Sequence, residues 1–187
     1  MTKVYFIRHA QSDWNTKDDR TRPLTEKGSR DCALVTAFLR DKNIDVVLSS
    51  PYKRTIDTIS EFADSINLPI QHIEDFRERN TGGWVDDFNA FAEKQWVDFS
   101  YKQTGGESLA EVQQRNIAAL CNVLAQHKDK NIVIGTHGTA LSTIINYYDK
   151  SYGYNDFLAM VDIMPWVVVM YFDGDTYTGL EKVDLFQ

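Results

Sequence analysis

The chain has 187 residues, 43% of them hydrophobic and 25% charged, a balance that suits a globular protein long enough to bury one sizeable core. Lys and Arg number 20 against 27 Asp and Glu, and the resulting net charge of −7 repels polyanions, which argues against nucleic acid as a partner. No stretch approaches the ~18 to 20 consecutive apolar residues of a membrane span, and the opening MTKVYFIRHA runs directly into a strand-like pattern, so a cytoplasmic protein with no membrane attachment is expected.

No repeat, low-complexity tract or linker interrupts the chain; one domain over residues 1–187 is expected, with a lid segment around 84–106. Val4-Tyr5-Phe6-Ile7 reads as a buried strand, and the polar residues 11–22 as a loop. Thr25 is placed to cap a helix carrying Cys32, Ala33, Val35, Ala37 and Phe38 up to about Arg40. Val46-Val47-Leu48 is the next strand. Ser50-Pro51 then supplies a cap and a first-turn proline for a helix with Tyr52, Thr55, Ile56, Ile59, Phe62 and Ala63 on one face. Residues 68–73 are strand-like. Leu109, Val112, Ile117, Leu120 and Leu124 share another helical face, and Ile132-Val133-Ile134 followed by Ala140, Leu141, Ile144, Ile145 and Tyr148 repeats the step from strand to helix. That alternation predicts an α/β fold on a mostly parallel sheet. Residues 166–172 and 176–183 flank Asp173-Gly174-Asp175 as a hairpin, the first strand being a candidate edge for pairing between subunits; a monomer or a homodimer is expected. As a calcium site the Asp-Gly-Asp turn lacks further acidic ligands. Cys32 and Cys121 both fall in amphipathic helical patterns and read as buried thiols.

Three times an apolar strand gives way to a polar segment that leads into a helix: at Arg8-His9, at residues 49–54 ending in Arg54, and at Gly135-Thr136-His137-Gly138. Ligands of open α/β sheets bind beyond the carboxyl ends of the strands, where helix N-termini offer free N–H groups. If these three strands are parallel neighbours, Arg8, His9, Arg54 and His137 meet. Two arginines and helix N-termini describe a site for a dianion, with phosphate the common one. A neutral imidazole can attack phosphorus, nearby arginines keep it neutral, and a second histidine can stabilise the transferring oxygens. The leaving alcohol needs an acid. Glu78 is the candidate, with Glu74 and Asp75 as rivals on position alone.

These residues carry a resemblance to the histidine phosphatase superfamily, the phosphoglycerate mutase-like proteins, and to its small first branch. Arg8-His9-Ala10-Gln11-Ser12-Asp13-Trp14-Asn15 is similar to the family's opening Arg-His-Gly-x-Ser/Thr-x-Trp-Asn, with Ala10 where glycine is usual. Arg22-Pro23-Leu24-Thr25, Ser49-Ser50-Pro51 with Arg54 and Thr58, Arg77-Glu78 with Gly83-Trp84, Gly105-Gly106-Glu107-Ser108 and Thr136-His137-Gly138 follow in the family's order. The resemblance implies a three-layer αβα sandwich with a central, mostly parallel sheet. It implies His9 as the phosphorylated nucleophile, Glu78 as general acid and base, His137 as a catalytic and phosphate-binding residue, and Arg8, Asn15, Arg54 and Gly138 around the phosphate. No cofactor and no metal are implied.

The expected activity is hydrolysis of a small phosphorylated metabolite. A mutase is the alternative, but the family's true mutases carry paired arginines after the acid segment, whereas residues 84–105 hold Lys94 and Lys102 and no arginine, and Gly138 is followed by Thr139 instead of asparagine. A phosphoprotein phosphatase or a phosphate-binding regulatory module is a further alternative. His9, His137 and Glu78 also match a two-histidine, one-carboxylate metal set, which Arg8 and Arg54 would oppose by charge repulsion. Arg77 and Arg79 have two readings, pairing with local carboxylates or contact with substrate. Arg20 or Arg22 is a candidate reader of a second acidic group, and the aromatic segment 87–101 with Trp96 either roofs the pocket or packs into the core.

Overall fold

The computed structural model describes residues 1–186. Six strands, β1 (Thr2–Arg8), β2 (Val46–Ser49), β3 (Ile70–His72), β4 (Asn131–Thr136), β5 (Trp166–Asp173) and β6 (Thr176–Val183), form one sheet in the order β3-β2-β4-β1-β5-β6. The pairs β3/β2, β2/β4 and β4/β1 are parallel, whereas β5 and β6 close the sheet as an antiparallel hairpin. Strand β5 is therefore interior, and the edges of the sheet are β6 and β3. The apolar character of residues 166–172 comes from burial on both faces.

Alternation along each strand divides the core in two, because successive side chains leave opposite faces of a pleated sheet. Tyr5, Ile7, Val47, Val133, Val167 and Val169 pack against Val35 and Leu39 of α1 (Glu26–Leu39) and Ile59, Phe62 and Ala63 of α2 (Lys53–Ser65). Val4, Phe6, Leu48, Ile132, Ile134, Val168 and Met170 face the other way. They meet α4 (Leu109–Gln126), α5 (Gly138–Tyr148) and α6 (Tyr154–Met160) through Leu120, Leu141 and Phe157. The result is the expected αβα sandwich.

Local chemistry sets where the helices start. The Thr25 hydroxyl accepts from the Gly28 N–H at 3.0 Å, capping α1, and Ser108 and Glu111 form a reciprocal capping box on α4. Ser50 and Pro51 do not begin α2, which starts at Lys53 after the Tyr52 N-cap; Ser50 Oγ instead accepts from the Tyr52 N–H at 3.3 Å. Cys32 is buried, but Cys121 is exposed. Its position on α4 lies off the stripe of Leu120, Val123 and Leu124 that faces the sheet, so the reading of a second buried thiol is corrected. The helix α3 (Phe88–Val97) lies beside α6, with the Trp96 ring 5.8 Å from Phe157 and 6.1 Å from Tyr152, centroid to centroid.

Candidate active site

The order β2-β4-β1 makes the three chemistry-bearing strands parallel neighbours, so their carboxyl ends converge. Pairing continues past β1: the His9 N–H donates to Thr136 O at 3.1 Å, which locks the backbone of His9 beside that of His137. The two imidazole centroids are 5.4 Å apart in an edge-to-face arrangement. From β2, the Ser50 N–H bonds Gly135 O at 2.9 Å, while Thr58 of α2 accepts from the Ala10 N–H at 3.0 Å. Every residue of the cluster is thereby tied to a strand end or to the first turns of a helix.

His9 is buried, and its Nδ1 lies 2.7 Å from Ala10 O. A carbonyl can only accept, so Nδ1 carries the proton and Nε2 keeps the lone pair. Burial, followed by the charges of Arg54 and Arg8, holds the His9 imidazolium well below its ordinary range, leaving the ring neutral near pH 7. His137 is displaced in the same direction by burial and Arg54. Its Nε2 lies 2.8 Å from Ser50 Oγ, and its buried Nδ1 has no partner among the described residues.

Arg8 donates to the backbone carbonyls of Met160 at 2.7 Å and Ile163 at 3.0 Å. Burial lowers its pKa to about 10, which leaves the guanidinium charged at neutral pH. Gly138 lets it lie against the start of α5, where a β-carbon would come within 3.2 Å of Arg8 Nε. Arg54 reaches Asp19, whose carboxylate also takes Arg22 at 3.0 Å, and Arg54 lies 5.1 Å from the Tyr52 ring. The Nε atoms of Arg8 and Arg54 are buried and without partners among the described residues. Two unspent buried guanidinium N–H groups and an unpartnered imidazole nitrogen suit an anion with several oxygens.

Glu78 follows a short 3-10 turn, Glu74–Phe76, in irregular backbone. Its carboxylate accepts from the N–H groups of Arg79 at 2.7 Å, Thr139 at 3.1 Å and Ala140 at 3.2 Å. The last two belong to the first turn of α5, whose N–H groups have no acceptor within the helix. Glu78 thus sits at the helix terminus that His137 precedes. Its two rivals face elsewhere: Glu74 is exposed and paired with Arg20, and Asp75 is exposed beside Arg77.

Other predicted members take different places. Asn15 is exposed, and its amide nitrogen donates to Asp13 at 2.8 Å. Arg77 pairs with Glu107 at 2.8 Å, whereas buried Arg79 donates to Gln95 Oε1 and lies 5.0 Å from the Phe91 ring. Ser50 and Thr58 were legible as motif positions but not as partners of His137 and Ala10. Arg115 of α4, which donates to the carbonyl of Glu78 at 3.1 Å, had one signal: a charge three residues after buried Val112 and four before buried Ala119. Among the described residues no three His, Cys, Asp or Glu side chains converge as ligands of one metal ion.

Residues 4–173 match the model of the histidine phosphatase superfamily (branch 1). The chain belongs to that family. It is 28% identical over 149 residues to the uncharacterized phosphatase PhoE of Bacillus subtilis, covering 78% of this chain and 76% of that one. It is 31% identical over 155 residues to phosphoserine phosphatase 1 of Hydrogenobacter thermophilus, covering 73% and 71%. The solved structure of YhfR from Bacillus stearothermophilus shares the fold, with a TM-score of 0.79, 24% identity and 95% of each chain covered. This histidine phosphatase is accordingly an enzyme of the phosphatase class.

Proposed function

We propose that this histidine phosphatase hydrolyses small phosphomonoesters in two steps without a metal. The observation behind this is that His9 is buried within the field of Arg54 and Arg8 and pinned through Nδ1 to Ala10 O, so that Nε2 bears a lone pair at neutral pH. Nε2 attacks phosphorus, the phosphorus–oxygen ester bond breaks, and Glu78 gives its proton to the departing oxygen. Water then attacks the phosphohistidine and loses a proton to Glu78. The nitrogen–phosphorus bond breaks, and phosphate leaves with His9 regenerated. Arg8, Arg54 and His137 stabilise the equatorial oxygens throughout, aided by the N–H groups that follow Gly138. Asn15 joins them by exchanging its bond to Asp13 for one to a phosphoryl oxygen.

The test is phosphate release from a panel of phosphomonoesters, phosphoserine included, in excess EDTA, with wild type beside His9→Ala. Release that persists in EDTA and falls at least about 10⁴-fold in the variant, with its thermal midpoint unchanged, is the expected result. Near-normal turnover in the variant removes His9 as nucleophile, and loss of the signal in EDTA restores a metal-dependent route. Transfer of the phosphoryl group to a sugar acid in preference to water would mark a mutase.

A further inference from the structure

Glu78 lies in a segment with no regular secondary structure, yet its carboxylate is held to α5 with well-formed hydrogen bonds. What fixes the segment from behind is one arginine. Arg115 NH1 donates to Asp75 O and Arg77 O, both at 2.8 Å, and NH2 to Glu78 O at 3.1 Å and Glu107 Oε2 at 3.0 Å, while Nε reaches Glu107 Oε1 at 2.8 Å. All five guanidinium donors are engaged. Glu107 in turn accepts from the Asn80 N–H at 2.9 Å and from Arg77 at 2.8 Å, and its own N–H donates to Asn80 O at 2.7 Å. Its backbone carbonyl is held by Gln95 at 3.0 Å. Burial alone would raise the Glu107 carboxyl, but the bonds from Arg115 and Asn80 outweigh it and keep the group charged.

We propose that Arg115, oriented by Glu107, is the positioning residue for Glu78: it gathers three carbonyls of residues 75–78 onto α4 and so sets where the acid delivers its proton. This rests on the reading of Glu78 as general acid. Lysine cannot substitute, because its point charge has three donors on one atom and no fork to span carbonyls and a carboxylate together.

Departure of a good leaving group needs no proton, which gives a readout that general loss of structure does not mimic. Because kcat/KM reports events up to the first irreversible step, it isolates leaving-group departure from hydrolysis of the phosphohistidine. Arg115→Met and Arg115→Lys are expected to lower kcat/KM for an alkyl ester, phosphoserine, by about 10²-fold, and for p-nitrophenyl phosphate by less than about threefold. Glu107→Gln, which preserves shape, is expected to show the same bias with a smaller loss, and it decides alone if the Arg115 variants do not fold. Equal losses on both esters, or no loss, overturn the proposal. Glu78→Gln is measured alongside. If it loses both esters equally, its own role as acid fails; if it shows the bias and the Arg115 and Glu107 variants do not, only the positioning role is overturned.

Discussion

The two halves of the proposed active site, one for phosphate and one for the acid, are held by different kinds of bond. Arg8 and His9 are fixed by sheet pairing, as in the bond from His9 N–H to Thr136 O, while Arg54 stands in the first turn of α2 and His137 caps α5 at the end of β4. Glu78 stands in irregular chain between a 3-10 turn and α3, and what fixes it is side chains: Arg115 on its carbonyl side, and the α5 terminus receiving its carboxylate. The phosphate half is placed by the fold itself. The acid half is placed by a few long-range polar contacts, each replaceable by a single substitution.

The two halves therefore fail differently when perturbed. Phosphate is common to every substrate, so removing a charge from the first half costs all esters alike. Arg54→Met is expected to lower kcat/KM by about 10² to 10³-fold on alkyl and aryl esters equally, measured as the ratio between the two. A loss confined to alkyl esters would move Arg54 into the acid half. The same variant has a second readout. On the proposed mechanism His9 reacts when neutral, and its pKa is held below the ordinary value by burial, then Arg54, then Arg8. Without Arg54 the pKa rises, so the acid limb of the kcat/KM profile moves to higher pH.

Legibility in the sequence follows the same division. Arg8, His9, Arg54 and His137 could be brought together from the alternation of apolar strands and helices, because strand ends in a parallel sheet converge by topology. Glu78 could not be separated from Glu74 and Asp75 on position; resemblance to a family chose it, and the structure shows the physical difference in the α5 N–H groups. Arg115 and Glu107 stayed invisible in role, since their partners at residues 75–80 lie between 27 and 40 positions away and no periodicity encodes such pairing. Cys121 was misplaced for a smaller reason: one position of helical rotation separates exposed Cys121 from buried Leu120. The hairpin was legible from Asp173-Gly174-Asp175, but which of its strands forms the sheet edge depends on β1 pairing with β5, a contact distant in sequence.

The phosphate half also leaves a mark on stability. His9 and His137 are both held neutral well below the ordinary histidine range, and each takes up its proton only on unfolding. The unfolded chain then binds more protons, so their contribution is complete above about pH 6.5 and is lost as pH falls below it. The slope is up to ~1.4 kcal/mol per pH unit for each histidine. Urea unfolding between about pH 5 and 7.5, a range above most carboxylate titration, checks this. His9→Gln is expected to remove about half of the slope, and a slope indifferent to both His9→Gln and His137→Gln would show that the pair is not protonated on unfolding.

The smallest effect is expected at the outer rim, where Arg20 pairs with Glu74 across exposed surface and lies 5.2 Å from the Tyr52 ring. An exposed ion pair contributes about 0 to 1 kcal/mol, because water already solvates both charges and two long side chains must be ordered. Glu74 also offsets the charge of Arg20 toward an incoming anion. Arg20→Ala should leave stability within about 1 kcal/mol and change kcat/KM for singly and doubly anionic esters alike. A selective loss for the doubly anionic ester would mean that Arg20 leaves Glu74 to bind the second acidic group. Apart from Asn15, both halves would then be fixed before substrate arrives, while recognition of the rest of the substrate fell to a side chain that changes partner.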